Sequence, residues 1–346
     1  MAEHRVLVTA IGGNIGQGIV KSLRNGKRAY FIVGIDMEPL SAGFSLVDSY
    51  YVVPRTGDSG FKDRIKEIAS KEKIEAIYVC SPTELLFFSE HKEEFEKELG
   101  LSVFVNPPEV VRIGSDKLMT AEFLRKSGLP YPETVPADDG EGINKIIKNN
   151  GFPLIVKPRE GSSSKNVFLV NSREEIDAAN ILTPHPIVQR YLPDLDSEYT
   201  AATVSGNDRK VRASIVLHRD LIQGTTYRTE LIQDADITQQ VIRIVELLGA
   251  VGSCNLQFRL VDGKVFVFEI NPRFSGTSGI RYLYGFNDAE MVFELFCLHI
   301  DISQPVLQPA VVLRYWNEIY IPGLDFSILR KGDKLCYGIQ TIANKK

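Results

Sequence analysis

Tryptophan is almost missing from this chain, with Trp316 alone among 346 residues, and cysteine is scarce. Cys80, Cys254, Cys297 and Cys336 stand far apart, with no C-x-x-C pair. That spacing suits neither a zinc site nor a disulfide framework, and points to buried free thiols in a reducing compartment. No stretch approaches the ~18 apolar residues of a membrane span. The opening, Met1 to Arg5, runs into a strand without an apolar signal segment, so the expectation is a cytoplasmic protein with no membrane contact. A basic excess is missing too. The formal net charge of −4 leaves no electrostatic footprint for nucleic acid. The remainder, 44% hydrophobic and 24% charged, is ordinary for a globular chain long enough for two or three domains.

What the sequence does have is concentrated between Cys254 and Ser278. Asn255–Val261 and Val265–Ile270 alternate, are rich in β-branched and aromatic residues, and flank the turn signal Asp262-Gly263. The spacing predicts an antiparallel hairpin. Glu269, Asn271 and Arg273 occupy alternate positions and therefore share a face while the strand stays extended. Gln257, on the opposing strand, can face the same side. One carboxylate with two amides suits Mg²⁺, which takes few protein carboxylates and completes its shell with substrate phosphates. An adjacent arginine can grip the remaining phosphate charge.

The first third alternates strand and helix: Arg5–Ala10, Ile19–Asn25, Phe31–Ile35, Phe61–Lys71, Glu75–Cys80, Thr83–Leu99 and Leu101–Val105. That order argues a parallel α/β sheet. The glycine-rich turn Gly12–Gly18 suggests a dinucleotide-binding start, but Ile11 stands where the G-x-G-x-x-G fingerprint needs its first glycine. The bland reading is a tight turn packing helix on strand.

In the middle, Ser115-Asp116-Lys117 opens a helix over Leu118–Ser127, and the helix start with Lys117 can meet a phosphate. Leu154–Lys157 is an apolar strand ending on a lysine that needs an anionic partner. The loop Gly161-Ser162-Ser163-Ser164-Lys165 can close on phosphates through its amides and hydroxyls. Ile187–Leu192 is a strand leading to a hinge, where backbone groups of Tyr191 and Leu192 can read a purine edge and Glu198 ribose hydroxyls. Lys210–Leu217 is a further strand and Ala235–Leu248 an amphipathic helix.

Taken in order, these features resemble the ATP-grasp superfamily. They look closest to the ATP-binding halves of carbamoyl-phosphate synthetase and to stand-alone carboxylate–amine ligases. The resemblance runs from about Val6 to Phe286, and its specific part is E-I-N-P-R with a glutamine twelve residues before its glutamate. It implies an α/β and α+β architecture, a Rossmann-like parallel sheet followed by a two-lobed ATP-grasp fold. The expected divisions are 1–113 (pre-ATP-grasp domain), 114–193 (small lid lobe with its linker helix), 194–322 (catalytic lobe) and 323–346 (extension). It also implies ATP and Mg²⁺ (or Mn²⁺). Lys117 and Lys157 would hold phosphates, Gly161 and Ser162 to Ser164 the lid, and Gln189, Arg190, Tyr191 and Leu192 the adenine. Glu198 would hold the ribose, Gln257, Glu269 and Asn271 the metal, and Arg273 the transferring phosphoryl. Two departures stand out: Arg190 occupies a hinge position that is often acidic, and Gln257 replaces a frequent carboxylate.

The activity implied is ligation of a small-molecule carboxylate, activated as an acyl phosphate, to an amine. Gly12, Gly13, His218, Arg228, Ser275 and Thr277 are candidate substrate contacts, and Arg219 is a further candidate for an acceptor or phosphate. Three rivals remain: a kinase of carbamate or bicarbonate, a non-catalytic nucleotide sensor, and a nicotinamide oxidoreductase. Near the end, Val311–Ile321 reads as a strand with Trp316 and Tyr320 in the core. Phe326–Ala343 reads as an added strand or a homodimer contact.

Overall fold

The computed structural model describes residues 3–161, 166–193, 198–315 and 317–319. Three sheets divide the chain. The first is fully parallel, in the order β3-β2-β1-β4-β5, from β1 (His4–Val8), β2 (Tyr30–Asp36), β3 (Ser49–Val52), β4 (Ala76–Tyr78) and β5 (Ser102–Phe104). Its central strands β1, β2 and β4 are short, mainly apolar and largely buried, as parallel sheets demand, while the edge strand β3 is half-buried. Helices α1 (Asn14–Arg24), α2 (Phe61–Glu72), α3 (Pro82–Glu90) and α4 (Lys92–Leu99) make the crossovers. The predicted helix over Thr83–Leu99 is thus two helices, parted at His91, whose backbone leaves the helical region. The order reverses between β1 and β4, and chain leaving such a switch point forms a crevice.

Helices α5 (Pro108–Ser115) and α6 (Lys117–Lys126) lead to an antiparallel sheet in the order β6-β9-β7-β8. It contains β6 (Thr134–Pro136), β7 (Leu154–Pro158), β8 (Phe168–Val170) and β9 (Pro186–Arg190), backed by α7 (Gly140–Asn150) and α8 (Arg173–Leu182). The third sheet is antiparallel, β14-β13-β10-β11-β12-β15. Its strands are β10 (Glu198–Ser205), β11 (Val211–Ile222), β12 (Thr225–Ile232), β13 (Gly252–Val261), β14 (Lys264–Asn271) and β15 (Val311–Leu313). Helix α9 (Ala235–Leu248) covers one face with Ile237, Val241, Ile244 and Val245. Helices α10 (Ser278–Arg281) and α11 (Asp288–Phe296) return the chain to the first sheet.

The predicted hairpin is β13–β14, paired from Val261↔Lys264 to Asn255↔Asn271 around the Asp262-Gly263 turn. The strand expected over Val311–Ile321 is much shorter, pairing with β12 only at Val311–Leu313; Trp316 and Tyr320 lie outside the described residues. Two glycines allow the first and third units to touch. A Cβ on Gly18 of α1 would stand 3.0 Å from the amide nitrogen of Gly279 in α10. Asn106, just beyond β5, completes the join: its amide donates to the carbonyls of Ser253 and Pro272, and its Oδ1 accepts from the Val251 amide. The hairpin's end is therefore fixed against the parallel sheet.

Candidate active site

A cleft of about 1000 Å³ runs between the three sheets, with Lys157, Tyr191, Gln257, Glu269 and Arg273 on its walls. Its centre is the end of β14. Asn271 Nδ2 donates to Glu269 Oε1 at 2.9 Å, and Arg273 Nη2 donates to Asn271 Oδ1 at 2.8 Å. The three side chains thus form one rail, as alternation predicts. Arg273 also donates to its neighbour's carbonyl, Phe274 O, at 2.8 Å. Burial depresses its pKa, an effect that Glu269 opposes. Glu269 is half-buried, and none of the ion pairs among the described residues engages it.

Lys157 faces this rail from β7. Its ammonium is buried, donates to Gln189 Oε1 at 2.8 Å and sits 5.9 Å from the centroid of the Phe268 ring. Burial and then the charge of Lys117 lower its pKa to about 7, with Glu269 pulling the other way. Lys117 is depressed by burial as well, and its Nζ donates to Gly161 O at 2.9 Å. Two lysines brought together in a low-dielectric cleft repel each other until an anion arrives. Asp116 and Arg159 were not singled out from sequence, yet they set this arrangement. Asp116 caps α6 through the Leu118 and Met119 amides and accepts from Arg159 Nε at 2.7 Å, while the Lys117 amide donates to Arg159 O. The start of α6 is so tied to the end of β7. Asp116 in a helix-opening position was the available signal; its distant partner was not.

At the hinge, Gln189 lines the cleft with its side chain engaged inside the protein. Its side chain spans Lys157 and Thr134 Oγ1, which makes it the lysine's support. Arg190 spends its backbone amide on Glu133 O and lies over the Phe266 ring. Tyr191 and Leu192 follow the last pairing of β9, and Arg259 Nη1 donates to Leu192 O at 2.6 Å. Glu198 lines the cleft but is held by Arg219, whose Nη2 donates to Glu198 Oε1 at 2.5 Å and to Gln257 Oε1 at 2.7 Å. The carbonyl oxygen of Gln257 thus points to an arginine, and Glu269 with Asn271 is the better-prepared part of the oxygen set.

Alternation on β11 that turns Arg219 inward turns His218 toward the Tyr199 ring. Arg228 pairs with Asp220 at 2.6 Å on an exposed stretch of β12. Neither lines the cleft, nor does Gly12, whose amide is taken by Asp36 Oδ2 at 2.7 Å. Gly13, Ser275 and Thr277 do line it. Ser275 Oγ accepts from Arg281, which is fully buried, ion-paired with Asp288 at 2.8 Å and closely bonded to Asn255. That buried pair sets the turn after the rail. Ser162 to Ser164 lie outside the described residues.

An oxygen rail facing two lysines across one cleft is the geometry that the family comparisons bear on. Residues 114–277 match the ATP-grasp domain, and residues 6–104 match the PylC-like N-terminal domain. Residues 114–277 are an ATP-grasp domain. Among curated relatives, the carbamoyl phosphate synthase large chain of Thermotoga neapolitana is 24% identical over 303 residues, 80% of this chain and 26% of that protein. The corresponding chain of Thermoplasma acidophilum is 23% identical over 357 residues, covering 93% and 33%. This chain thus spans about a quarter to a third of the length of those relatives. Among solved structures, N5-carboxyaminoimidazole synthetase from Staphylococcus aureus complexed with ADP superposes with a TM-score of 0.70 at 16% identity, covering 90% of this chain and 82% of that one. The L-amino acid ligase from Bacillus licheniformis gives 0.64 at 16% identity, covering 89% and 75%. The fold of these structures is therefore shared along nearly the whole chain. No helix among the described residues is long and apolar enough to cross a membrane.

Proposed function

We propose that this protein is an ATP-dependent ligase that joins a small carboxylic acid to an amine. ATP would lie between the lobes of 114–193 and 194–322, its phosphates against Lys117 and Lys157 and its base against Tyr191 and Leu192. Glu269 and Asn271, with Gln257 once it turns from Arg219, offer oxygen donors that fit Mg²⁺ or Mn²⁺. When bound, such an ion supplies charge neutralisation of the phosphates.

The chain's own groups then have defined tasks. Lys157 and Arg273 hold the γ-phosphoryl in line with a carboxylate oxygen of the acid. That oxygen forms a bond to phosphorus as the bond to the β–γ bridging oxygen breaks, and ADP departs. The amine nitrogen next attacks the acyl carbon, phosphate leaves with the bonding pair, and the amine proton passes to water. No side chain acts as nucleophile. Catalysis is positioning and electrostatic complementarity in a cleft that excludes water.

The observation carrying this reading is that Glu269, Asn271 and Arg273 share one rail facing Lys157 across one cleft. ADP release, screened over amino acids in pairs with and without each amine, is the test. Glu269→Ala is expected to cut turnover by about 10³-fold while the melting curve stays cooperative. Undiminished turnover in that variant overturns the assignment, and ADP release indifferent to every amine replaces the ligase by a kinase of a small anion.

A further inference from the structure

We propose that the acid substrate carries a second anionic group, held by Arg314 beside the Ser275–Thr277 turn; this deepens the ligase reading and rests on it. Arg314 follows β15, and its backbone amide donates to Tyr227 O at 2.8 Å, so pairing with β12 fixes its position. Its guanidinium lines the cleft and donates through Nη2 to Gly276 O. Gly276 in turn packs against Asn14 at the start of α1: a Cβ there would stand 2.6 Å from Asn14 Nδ2. Arg314 thus sits where the third sheet meets the parallel one, in the same cleft as Arg273.

The other arginines of the cleft's catalytic sheet have carboxylates. Arg219 and Arg259 face Glu198, and Arg273 feels Glu269. Arg314 forms no ion pair among the described residues, and burial alone depresses its pKa. A guanidinium is donor-only, and one bond to a carbonyl leaves most of its N–H groups unmet. An apolar or cationic substrate group placed there would raise the cost of its desolvation; an anion removes it. Seven cationic side chains and three carboxylates line the cleft. Nucleotide phosphates and the reacting carboxylate account for Lys117, Lys157 and Arg273, and leave Arg314 for something else. The opposite wall does not compete: Gly13 caps α1 without a side-chain bond, and the first turn of α1 has no acid. The second group takes no part in bond making. It fixes the acid so that its other end meets Arg273.

Binding to the whole chain, saturated with a non-hydrolysable ATP analogue and Mg²⁺, tests this by calorimetry with matched pairs. Aspartate against asparagine and glutamate against glutamine form the carboxylate arm, and phosphoserine against serine the phosphate arm. In at least one arm the anion-bearing member is expected to bind at least tenfold more tightly. Arg314→Gln should shrink that gap to less than threefold and Arg314→Lys restore part of it, with analogue affinity and melting temperature unchanged. No gap in either arm, or a gap that survives in R314Q, overturns the proposal. A wild-type chain that does not bind the analogue refutes the ATP-site assignment instead, and the same pairs titrated without nucleotide still read the Arg314 gap.

Discussion

The two walls of the cleft use charge in opposite ways. On the parallel-sheet side, the glycine-rich turn is closed by its own chain. Asp36 accepts from the amides of Gly12 and Glu38 and from Ser41, and the 3-10 turn Ala42–Leu46 presses so closely that a Cβ on Gly43 would stand 2.0 Å from Ile11 O. The acid that a dinucleotide fold would offer to a ribose is consumed inside the loop. On the side of the antiparallel sheets three charges lean on neutral groups: Lys157 on an amide, Lys117 on a carbonyl, and Glu269 on Asn271. A satisfied loop is a structural wall, whereas charges without opposite partners are what the proposed nucleotide site offers to phosphates. The nicotinamide reading of the glycine turn fails on that difference.

The sharpest way to break the comparison is Lys157→Met. If the lysine is a charge waiting for phosphate, removing it should weaken ATP binding about a hundredfold by calorimetry. The same variant should be more stable than wild type without nucleotide, by roughly several degrees in melting temperature, since a desolvated ammonium is gone. Its depressed pKa sets the sign. Between about 7 and the unfolded value of 10.5 the unfolded chain holds a proton that the folded chain lacks, so this group's penalty is full below pH 7 and fades above it. The stabilisation should therefore be greatest below pH 7. Loss of both ATP affinity and stability would mean that Lys157 is a structural partner of Gln189.

Next in size is the pH dependence of ATP affinity in the wild-type protein. Below pH 7 Lys157 is already charged, and affinity should be flat. Above it, binding must take up a proton, and the dissociation constant should climb toward tenfold per pH unit. Calorimetry in buffers of different ionisation enthalpy reports the uptake. A flat profile from pH 6 to 9 would place the lysine's pKa elsewhere. The opposite wall predicts the reverse pattern of effects: Gly43→Ala should cost about 3 kcal/mol by overpacking against Ile11, yet leave ATP affinity within about twofold.

Much of this was legible in the sequence, for physical reasons that also mark the limit. Alternation on β14 needs only local backbone geometry, so the rail of Glu269, Asn271 and Arg273 could be read from spacing, as could the hairpin turn at Asp262-Gly263. Pairings between distant segments could not. Asp116 with Arg159, Arg219 with both Glu198 and Gln257, and Arg281 with Asn255 each join residues that no local period connects. Choosing among Arg219, His218 and Arg228 required knowing which face of β11 and β12 the cleft occupies. Thr83–Leu99 looked like one helix because its charges and apolar residues continue through His91, where only the backbone shows the break. Arg314 was hidden inside a strand expected to run to Ile321, and its meaning comes from a turn thirty-eight residues earlier in the chain.

The last expected effect concerns Glu84, a strongly shifted acid on the parallel-sheet side. It is buried in α3 and accepts from Thr9 Oγ1, and burial raises its pKa to about 7. The folded chain therefore holds a proton that the unfolded chain has lost between the ordinary carboxylate value of 4.5 and about 7. Stability from this group is full below that window and declines as pH rises through it. Glu84→Gln keeps an acceptor for Thr9 and removes the ionisation. Its advantage over wild type should grow from pH 4.5 to 7 and level off at about 3 kcal/mol, measured by urea melts at pH 5 and pH 8. ATP affinity should not move, because Glu84 belongs to the wall that satisfies itself. A difference between the two proteins that ignores pH would show that Glu84 is ionised throughout, and a change in ATP affinity would show that the two walls are not separate after all.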